Sequence, residues 1–370
     1  MRRQGLFLVL LLLWIRPGWV EAEGDFLYKT NADATITITN YSGVGGAVTI
    51  PGEIDGLPVS RIGYRAFWSL ASLLSVTIPD TITNIEAQAF YYCANLTSIA
   101  IPDSITWIGG GVFASCYNLT NAALGSGVPS IQPMTFSSCR SLINITMQNG
   151  ITNIGEAAFQ WCTNLASIHI PDSVVNLGDH AFWNCSDLTN VVLGSGLTSI
   201  GHNAFEYCPS LTSIAIPDSV TNVGAFAFWG CWGLTSATIG SNICTIGTYA
   251  FRACTNLTSI TIPDSVTNIE EGTFDSCRNM TNFVLGNRVT SIGPYAFYDC
   301  TSLRSITIPD SVTNIGSCAF LDCGGLGSVF FRGDAPTLGT DALPTNNVTV
   351  YYLTGTTGWT NPWGGCPTAL

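Results

Sequence analysis

Positive charge is scarce in this chain of 370 residues. Lysine and arginine together number 12 against 24 aspartates and glutamates, and Lys29 is the only lysine, so the formal net charge at pH 7 is −12. A protein that binds a nucleic-acid backbone or an anionic membrane surface needs a basic patch. The composition therefore predicts that nucleic acid is not a partner and that the chain does not bind an anionic membrane electrostatically.

Long apolar segments are also missing, apart from one near the N-terminus. The apolar run from Leu6 to Ile15 follows two arginines and precedes the string Val-Glu-Ala, which ends at Ala22. A basic start, an apolar stretch too short to span a bilayer and a small final residue are typical of a secretory signal peptide. We predict a signal peptide at residues 1–22, cleaved after Ala22. The mature chain is then expected to be secreted or held at a cell surface, without membrane insertion.

Phenylalanine, by contrast, recurs with strict regularity. A fixed short period indicates a solenoid, in which each repeat buries its apolar positions against its neighbours. We call one 23-residue repeat a coil. The sequence predicts a repeat solenoid of about twelve coils rather than two or three globular domains. The phenylalanines that stand 23 residues apart are Phe67, Phe90, Phe113, Phe136, Phe159, Phe182, Phe205, Phe228, Phe251, Phe274, Phe297 and Phe320.

The residues of one coil predict its local structure. Ile260 and Ile262 have the alternation of a strand with one buried face, and a Pro-Asp-Ser turn begins at Pro263. Phe274 and Cys277 are three residues apart, which suits a single helical turn. We expect a parallel strand face on one side of the solenoid and short helical or 3₁₀ turns on the other.

The repeated string L-T-S-I-T-I-P-D-S-V-T-N-I-G-x-x-A-F-x-x-C resembles the BspA-like, or treponemal, class of leucine-rich repeats over roughly residues 57–331. The resemblance implies an α/β leucine-rich repeat solenoid at residues 57–332, preceded by an N-terminal cap at 23–56. Residues 333–370 abandon the period and are interpreted as a C-terminal closing segment. The resemblance further implies an exported protein, often found on bacterial surfaces, that binds other macromolecules or cells.

Cysteine follows the same period. Eleven of the 14 cysteines lie three residues after a repeat phenylalanine, and we call them the cysteine ladder. One interpretation is a stack of buried, reduced thiols that act as small hydrophobes, and the alternative is disulfides between neighbouring coils of an exported protein. We favour the reduced stack. Its structural positions include the pairs Phe90 and Cys93, Phe182 and Cys185, Phe228 and Cys231, and Phe251 and Cys254. Cys244, Cys318 and Cys366 lie off the ladder, and we assign them no pairing.

No catalytic, cofactor-binding or metal-binding motif is recognised. The aspartates of the Pro-Asp-Ser turns are spread one or two coils apart, whereas a hard cation needs several convergent oxygens. We expect these carboxylates to stabilise their own turns instead. His169, His180 and His202 occupy different repeat positions and are interpreted as ordinary surface residues. The sequence therefore predicts neither an enzyme nor a cofactor.

Aromatic residues outside the phenylalanine row are the candidate binding residues. They follow the repeat phenylalanines by one or two positions, where side chains are expected to point outward. Exposed aromatic rings on a regular lattice are credible anchors for a protein or sugar partner. The alternative is that each ring lies over the adjacent coil and shields the cysteine ladder. The candidates are Trp68, Tyr91, Trp161, Trp183, Tyr207, Trp229 and Tyr298.

Two functions are consistent with these observations. The first is a secreted or surface-exposed, non-catalytic binding or adhesion module that recognises a protein or glycan of unknown identity. The second is a structural spacer or cell-envelope component without a specific ligand, which the small, uncharged strand face favours. The sequence does not fix the oligomeric state.

Overall fold

The computed structural model describes residues 20–345 and 347–370. Within these residues the chain winds as a solenoid, and each coil contributes one longer and one shorter strand. The predicted signal peptide lies largely outside the described residues. Its last residues, from Val20, belong to an exposed strand that pairs antiparallel with the next strand of the N-terminal region.

The N-terminal region forms a small sheet that covers the first coil. The order β1-β2-β3-β6 begins antiparallel and becomes parallel between β3 and β6, so that the sheet continues into the solenoid. The strands are β1 (Val20–Glu23), β2 (Phe26–Thr30), β3 (Ile36–Tyr41), β4 (Gly46–Thr49), β5 (Glu53–Ile54) and β6 (Leu57–Ile62).

The longer strands stack in parallel and form what we call the strand face. Residues 23 positions apart pair directly, as Asn121 pairs with Asn144. Backbone hydrogen bonds between coils therefore satisfy the strand's polar groups. The strands are β7 (Leu73–Thr77), β9 (Ser98–Ala100), β11 (Asn121–Ala123), β13 (Asn144–Thr146), β15 (Ser167–His169), β17 (Asn190–Val192), β19 (Ser213–Ala215), β21 (Ser236–Thr238), β23 (Ser259–Thr261), β25 (Asn282–Val284), β27 (Ser305–Ile308), β29 (Ser328–Phe331), β31 (Thr349–Tyr352) and β32 (Thr368–Ala369).

The shorter strands form a second parallel row. Each has one outward polar or aromatic residue followed by an apolar residue that is buried in every coil up to β28. The strands are β8 (Asn84–Ile85), β10 (Trp107–Ile108), β12 (Ser130–Ile131), β14 (Asn153–Ile154), β16 (Asn176–Leu177), β18 (Ser199–Ile200), β20 (Asn222–Val223), β22 (Thr245–Ile246), β24 (Asn268–Ile269), β26 (Ser291–Ile292), β28 (Asn314–Ile315) and β30 (Thr337–Leu338).

The prediction of helical or 3₁₀ turns beside the phenylalanines is wrong, because the described residues contain no helix there. Gln88 and Tyr92, two residues before and after Phe90, have φ values of 58° and 61°, in the left-handed region. The N–H groups of Phe90 and Tyr92 donate to carbonyls of the next coil, at 3.0 and 2.8 Å. The intervening N–H groups of Ala89, Tyr91 and Cys93 instead close turns within the coil. A continuous right-handed helix cannot form where alternate N–H groups are committed to the neighbouring coil.

The repeat phenylalanines form one continuous stack through the core. All twelve are almost completely buried. The rings of Phe159 and Phe182 lie 5.2 Å apart at an interplanar angle of 2°, and neighbouring rings elsewhere in the stack are similarly close. Burial of such a side chain stabilises the fold by about 1.5–3 kcal/mol relative to its exposure. The period of the phenylalanines is therefore the period of the core.

From Phe159 onward, Pro-Asp turns alternate with Gly-Ser or Gly-Asn turns in successive coils, and the two kinds of turn fit together. Oδ1 of Asp172 accepts hydrogen bonds from the backbone N–H of Ser195, at 2.7 Å, and from its hydroxyl, at 3.0 Å. A side chain at Gly194 would collide with the backbone of Pro171. The aspartate contact that we expected within its own turn is thus made to the following Gly-Ser turn instead. This pairing explains why Pro-Asp and Gly-Ser turns alternate.

Candidate binding surfaces

From β9 to β27 the outward residues of the strand face are small and uncharged, with the exception of His169. Val192 and Val284 are 44% and 45% exposed, and the other outward positions are occupied mostly by Ala and Thr. Because the register is constant, these side chains form one straight row. The row provides a flat contact surface, but it has few polar or charged groups that could make a site specific for one ligand.

The predicted aromatic residues differ in exposure. Trp68 is 51% exposed and Trp161 is 36% exposed. The other five are half-buried: Tyr91, Trp183, Tyr207, Trp229 and Tyr298. For these five, part of each ring lies against neighbouring side chains. Trp68 and Trp161 are thus exposed as expected, whereas the other five candidates are partly covered.

The structure brings some of these residues together around the middle of the solenoid. The rings of Trp161 and Trp183 meet edge to face at 5.5 Å, and His180 lies 5.9 Å from Trp183. Nε1 of Trp183 and Nδ1 of His180 are buried without a hydrogen-bond partner among the described residues. Two of the predicted anchors thus belong to one cluster.

A second cluster lies two coils further on. Tyr207 contacts Trp229 at 5.2 Å and Trp232 at 6.3 Å between ring centroids. Trp232 is 48% exposed. The guanidinium of Arg252 lies 5.5 Å from the ring centre of Trp229, a favourable cation–π distance. We call the two clusters together, with residues Trp161, Trp183, Tyr207, Trp229 and Trp232, the central aromatic edge.

The remaining predicted anchors are not part of this edge. Trp68 lies beside Arg65, with 5.5 Å from guanidinium to ring centre. Tyr91 contacts Tyr92 at 6.5 Å, and Tyr298 contacts Tyr295 at 6.0 Å. They form separate, smaller groups along the solenoid.

At two of the positions that directly follow a repeat phenylalanine, the side chain is a buried carboxylate that the sequence analysis did not single out. Glu206 and Asp275 each follow a repeat phenylalanine directly and are 6% exposed. Burial raises the pKa of both, while Asn203 beside Glu206, and Ser276 and Arg252 beside Asp275, oppose the rise. Arg252 pairs with Asp275 at 3.0 Å. The signal in the sequence was an acidic residue at a position that is aromatic in other coils.

The cysteine ladder lies in the core. All ladder cysteines are free and buried, and each thiol donates to the carbonyl of the phenylalanine 26 residues earlier. The distance is 3.2 Å from Cys185 to Phe159 and 3.1 Å from Cys231 to Phe205. Burial raises the pKa of the Cys231 thiol to about 12. The ladder cysteines thus pack as free thiols in the core, and the reduced stack stays our prediction.

Among the described residues, no three His, Cys, Asp or Glu side chains converge as a metal site would require. Nδ1 of His202 accepts a hydrogen bond from the N–H of Ala225 at 3.0 Å, and His169 is exposed on the strand face. The described part of the chain also has no helix of the length and apolarity needed to cross a membrane.

Comparison with known proteins identifies the repeat. The family model for the BspA type leucine-rich repeat region matches residues 60–189, 175–286 and 221–349. A search of curated proteins found no match.

Three solved structures illustrate the likeness. A leucine-rich repeat protein from Bacteroides ovatus is 27% identical, covers 90% of this chain and 94% of its own, and has a TM-score of 0.70. A leucine-rich cell surface protein from Faecalibacterium prausnitzii is 27% identical, with coverage of 85% and 95% and a TM-score of 0.49. A Treponema pallidum leucine-rich repeat protein is 26% identical, with coverage of 75% and 88% and a TM-score of 0.26. The repeat region, its core and the family match lead to one conclusion: the chain belongs to the BspA-type leucine-rich repeat family.

Proposed function

We propose that this protein is an exported, non-catalytic binding module that captures a protein or glycan partner outside the cell or at its surface. The central aromatic edge carries the proposal. Trp161 and Trp232 are partly exposed while neighbouring rings hold them in place. An anchor that is already ordered loses little conformational freedom on binding, so more of its contact energy remains as affinity. The predicted signal peptide and the family resemblance support export.

The spacing of the edge suits a partner longer than a single residue or sugar ring. Trp161 and Tyr207 occupy the same position two coils apart, and stacked strands are separated by ~5 Å, so the backbones at these two positions are about 10 Å apart. A peptide segment or an oligosaccharide can contact both.

Capture on glycan and matrix-protein arrays tests this proposal. We expect the wild type to retain a ligand and the double variant Trp161→Ala/Trp232→Ala to lose about tenfold or more in affinity, since central aromatic anchors contribute about 2 kcal/mol or more. These two residues are better choices than the half-buried Trp183 and Trp229, whose loss would also weaken the fold. Trp107→Ala is the matched control, because Trp107 is 48% exposed on the row of shorter strands.

The structural-spacer function is the second candidate, favoured by the uniform, uncharged strand face. It predicts no specific capture on either array and unchanged behaviour of the double variant. Ligand capture that survives the double variant would instead overturn the assignment to the central aromatic edge.

A further inference from the structure

The strand face changes character at its C-terminal end. Val284, Thr307, Phe330 and Tyr351 follow one another at the outward position of β25, β27, β29 and β31. The rings of Phe330 and Tyr351 are stacked at 5.0 Å with an interplanar angle of 18°, and Phe330 is 41% exposed. Phe330 and Tyr351 thus form a flat aromatic platform at the C-terminal end of a row of mostly small side chains.

Two adjoining hollows run along this end of the face, with volumes of about 430 and 410 Å³. Thr307 and Arg332 line both, so the hollows form one continuous depression, which we call the C-terminal groove. One half carries amide and hydroxyl groups, including those of Asn282, Asn287 and Ser305. The other half contains the aromatic platform.

Among the residues that line the groove, Arg332 has the one charged side chain. No aspartate or glutamate lines either hollow, although the formal net charge of the chain is −12. The guanidinium of Arg332 is exposed and takes part in none of the three ion pairs among the described residues. An unpaired guanidinium presents a planar set of donors that matches a carboxylate.

We propose that the C-terminal groove binds a carboxylate-bearing saccharide. The apolar face of one pyranose ring stacks on Phe330 and Tyr351, and the carboxylate meets Arg332. Further sugar hydroxyls exchange hydrogen bonds with the amide and hydroxyl groups of the polar half. The groove has the mixed lining of a ligand site, with an apolar surface and a few polar groups that fix orientation.

An acidic peptide fits the groove less well. A peptide that binds a sheet usually adds a strand to an open edge, and its backbone hydrogen bonds supply the affinity. Phe330 and Tyr351 lie instead on strands that are already paired with neighbours, in the order β27-β29-β31-β32. The groove therefore offers side chains and no free strand edge at the aromatic platform.

This inference rests on the proposed binding function but concerns a site separate from the central aromatic edge. Isothermal titration of the full chain with an oligogalacturonate tests it, and cellohexaose and a poly-glutamate peptide serve as neutral and peptidic probes. We expect the oligogalacturonate to bind, cellohexaose to bind at least about tenfold more weakly and the peptide not to bind. Added sodium chloride should weaken binding, since the contact includes a charge pair.

Two groove variants locate the site. Arg332→Gln and Phe330→Ala should each weaken oligogalacturonate binding about tenfold, the expected effect of losing a charged hydrogen bond or a stacked ring. Arg332→Lys should fall between wild type and Arg332→Gln, because it keeps the charge but not the planar fork. Arg140→Gln and Val192→Ala are the matched controls, since both residues are exposed elsewhere on the solenoid. Thermal unfolding verifies that each variant is folded.

The outcomes separate the two proposals. Failure of oligogalacturonate to bind, equal binding of cellohexaose, preferential binding of the peptide, or binding unchanged in a folded Arg332→Gln variant overturns the groove proposal. If array capture is lost only in the central-edge variant, the binding function stands without the groove. If oligogalacturonate binding depends on Arg332 while the central-edge variant captures normally, the groove is supported and the central aromatic edge is not.

Discussion

Individual thiols link neighbouring coils of the core. The carbonyl of Phe159 accepts the N–H of Cys162 within its own coil and the thiol of Cys185 from the next. A thiol is small enough for the space beside the phenylalanine stack and can still donate a weak hydrogen bond. Serine would donate more strongly, but its hydroxyl costs more to bury. Each ladder cysteine therefore fills space in the core and also donates a hydrogen bond to a buried carbonyl.

Thiol labelling follows directly from this burial. The thiolate is the reactive species, and burial raises the pKa of the Cys93 and Cys231 thiols from 9.0 to about 12. We expect the folded protein at neutral pH to react with a thiol reagent mainly through the exposed Cys244. After denaturation without reductant, all 14 cysteines should react with the reagent. Cys244→Ser should remove most of the native signal. Recovery of few thiols after denaturation would contradict a reduced ladder.

At the scale of the coil, the strands and the buried positions could be predicted from the sequence, whereas the turns beside the phenylalanines could not. The spacing of Phe and Cys fixes which residues are inside. It does not reveal that Tyr92, Trp161 and Tyr207 adopt positive φ, at 61°, 62° and 53°, because bulky residues rarely do so. Their backbone conformation is imposed by hydrogen bonds to the next coil, and such long-range pairing overrides local preference.

The candidate binding residues were predictable only in part. The repeat position correctly identified Trp161 as exposed, but it could not distinguish Trp161 from the half-buried Trp183, since ring exposure depends on packing across coils. The platform at Phe330 was missed for another reason. Its partner Tyr351 follows after 21 residues, where the chain has left the 23-residue period.

The contact between Pro-Asp and Gly-Ser turns is open to a stability test. Asp218 accepts the N–H of Ser241 at 2.6 Å and its hydroxyl at 3.0 Å, and these donors lower the pKa of Asp218. A lowered pKa means that the folded state favours the carboxylate, so the stabilisation is present above the unfolded pKa, about 3.9, and is lost as pH falls through the folded value. We expect Asp218→Ala to lower the urea midpoint at pH 7, and the difference from wild type to shrink below pH 4.

Asp80→Ala is the matched control for this turn. Asp80 is exposed at the same repeat position but forms no side-chain hydrogen bond with the described residues. The next coil has Pro102-Asp103 in place of the Gly-Ser turn. We expect little change in its urea midpoint. An equal loss of stability in both variants, or a difference for Asp218→Ala that persists at low pH, would contradict the proposed inter-coil contact.

At the scale of the whole molecule, both ends of the core are covered by aromatic residues outside the period. At the N-terminal end Tyr41 stacks on Phe67, with ring centroids 5.3 Å apart. At the other end Trp359 and Trp363 pack on Phe331 at 5.0 and 5.2 Å. A solenoid needs such covers because its end coils would otherwise expose apolar side chains and unpaired strands.

Deletion of the closing segment, residues 333–370, should therefore destabilise the solenoid from one end. Phe331 and Val329, which are 3% and 0% exposed, would lose their cover, while coils further along keep both neighbours. Because each coil interacts mainly with adjacent coils, stability decreases locally rather than uniformly. We expect amide hydrogen exchange to accelerate in β27 and β29 and to remain unchanged in β11 and β13, which serve as the internal reference. Equal acceleration in all four strands would show that the solenoid unfolds as one cooperative unit, and no acceleration would show that the closing segment is not a cap.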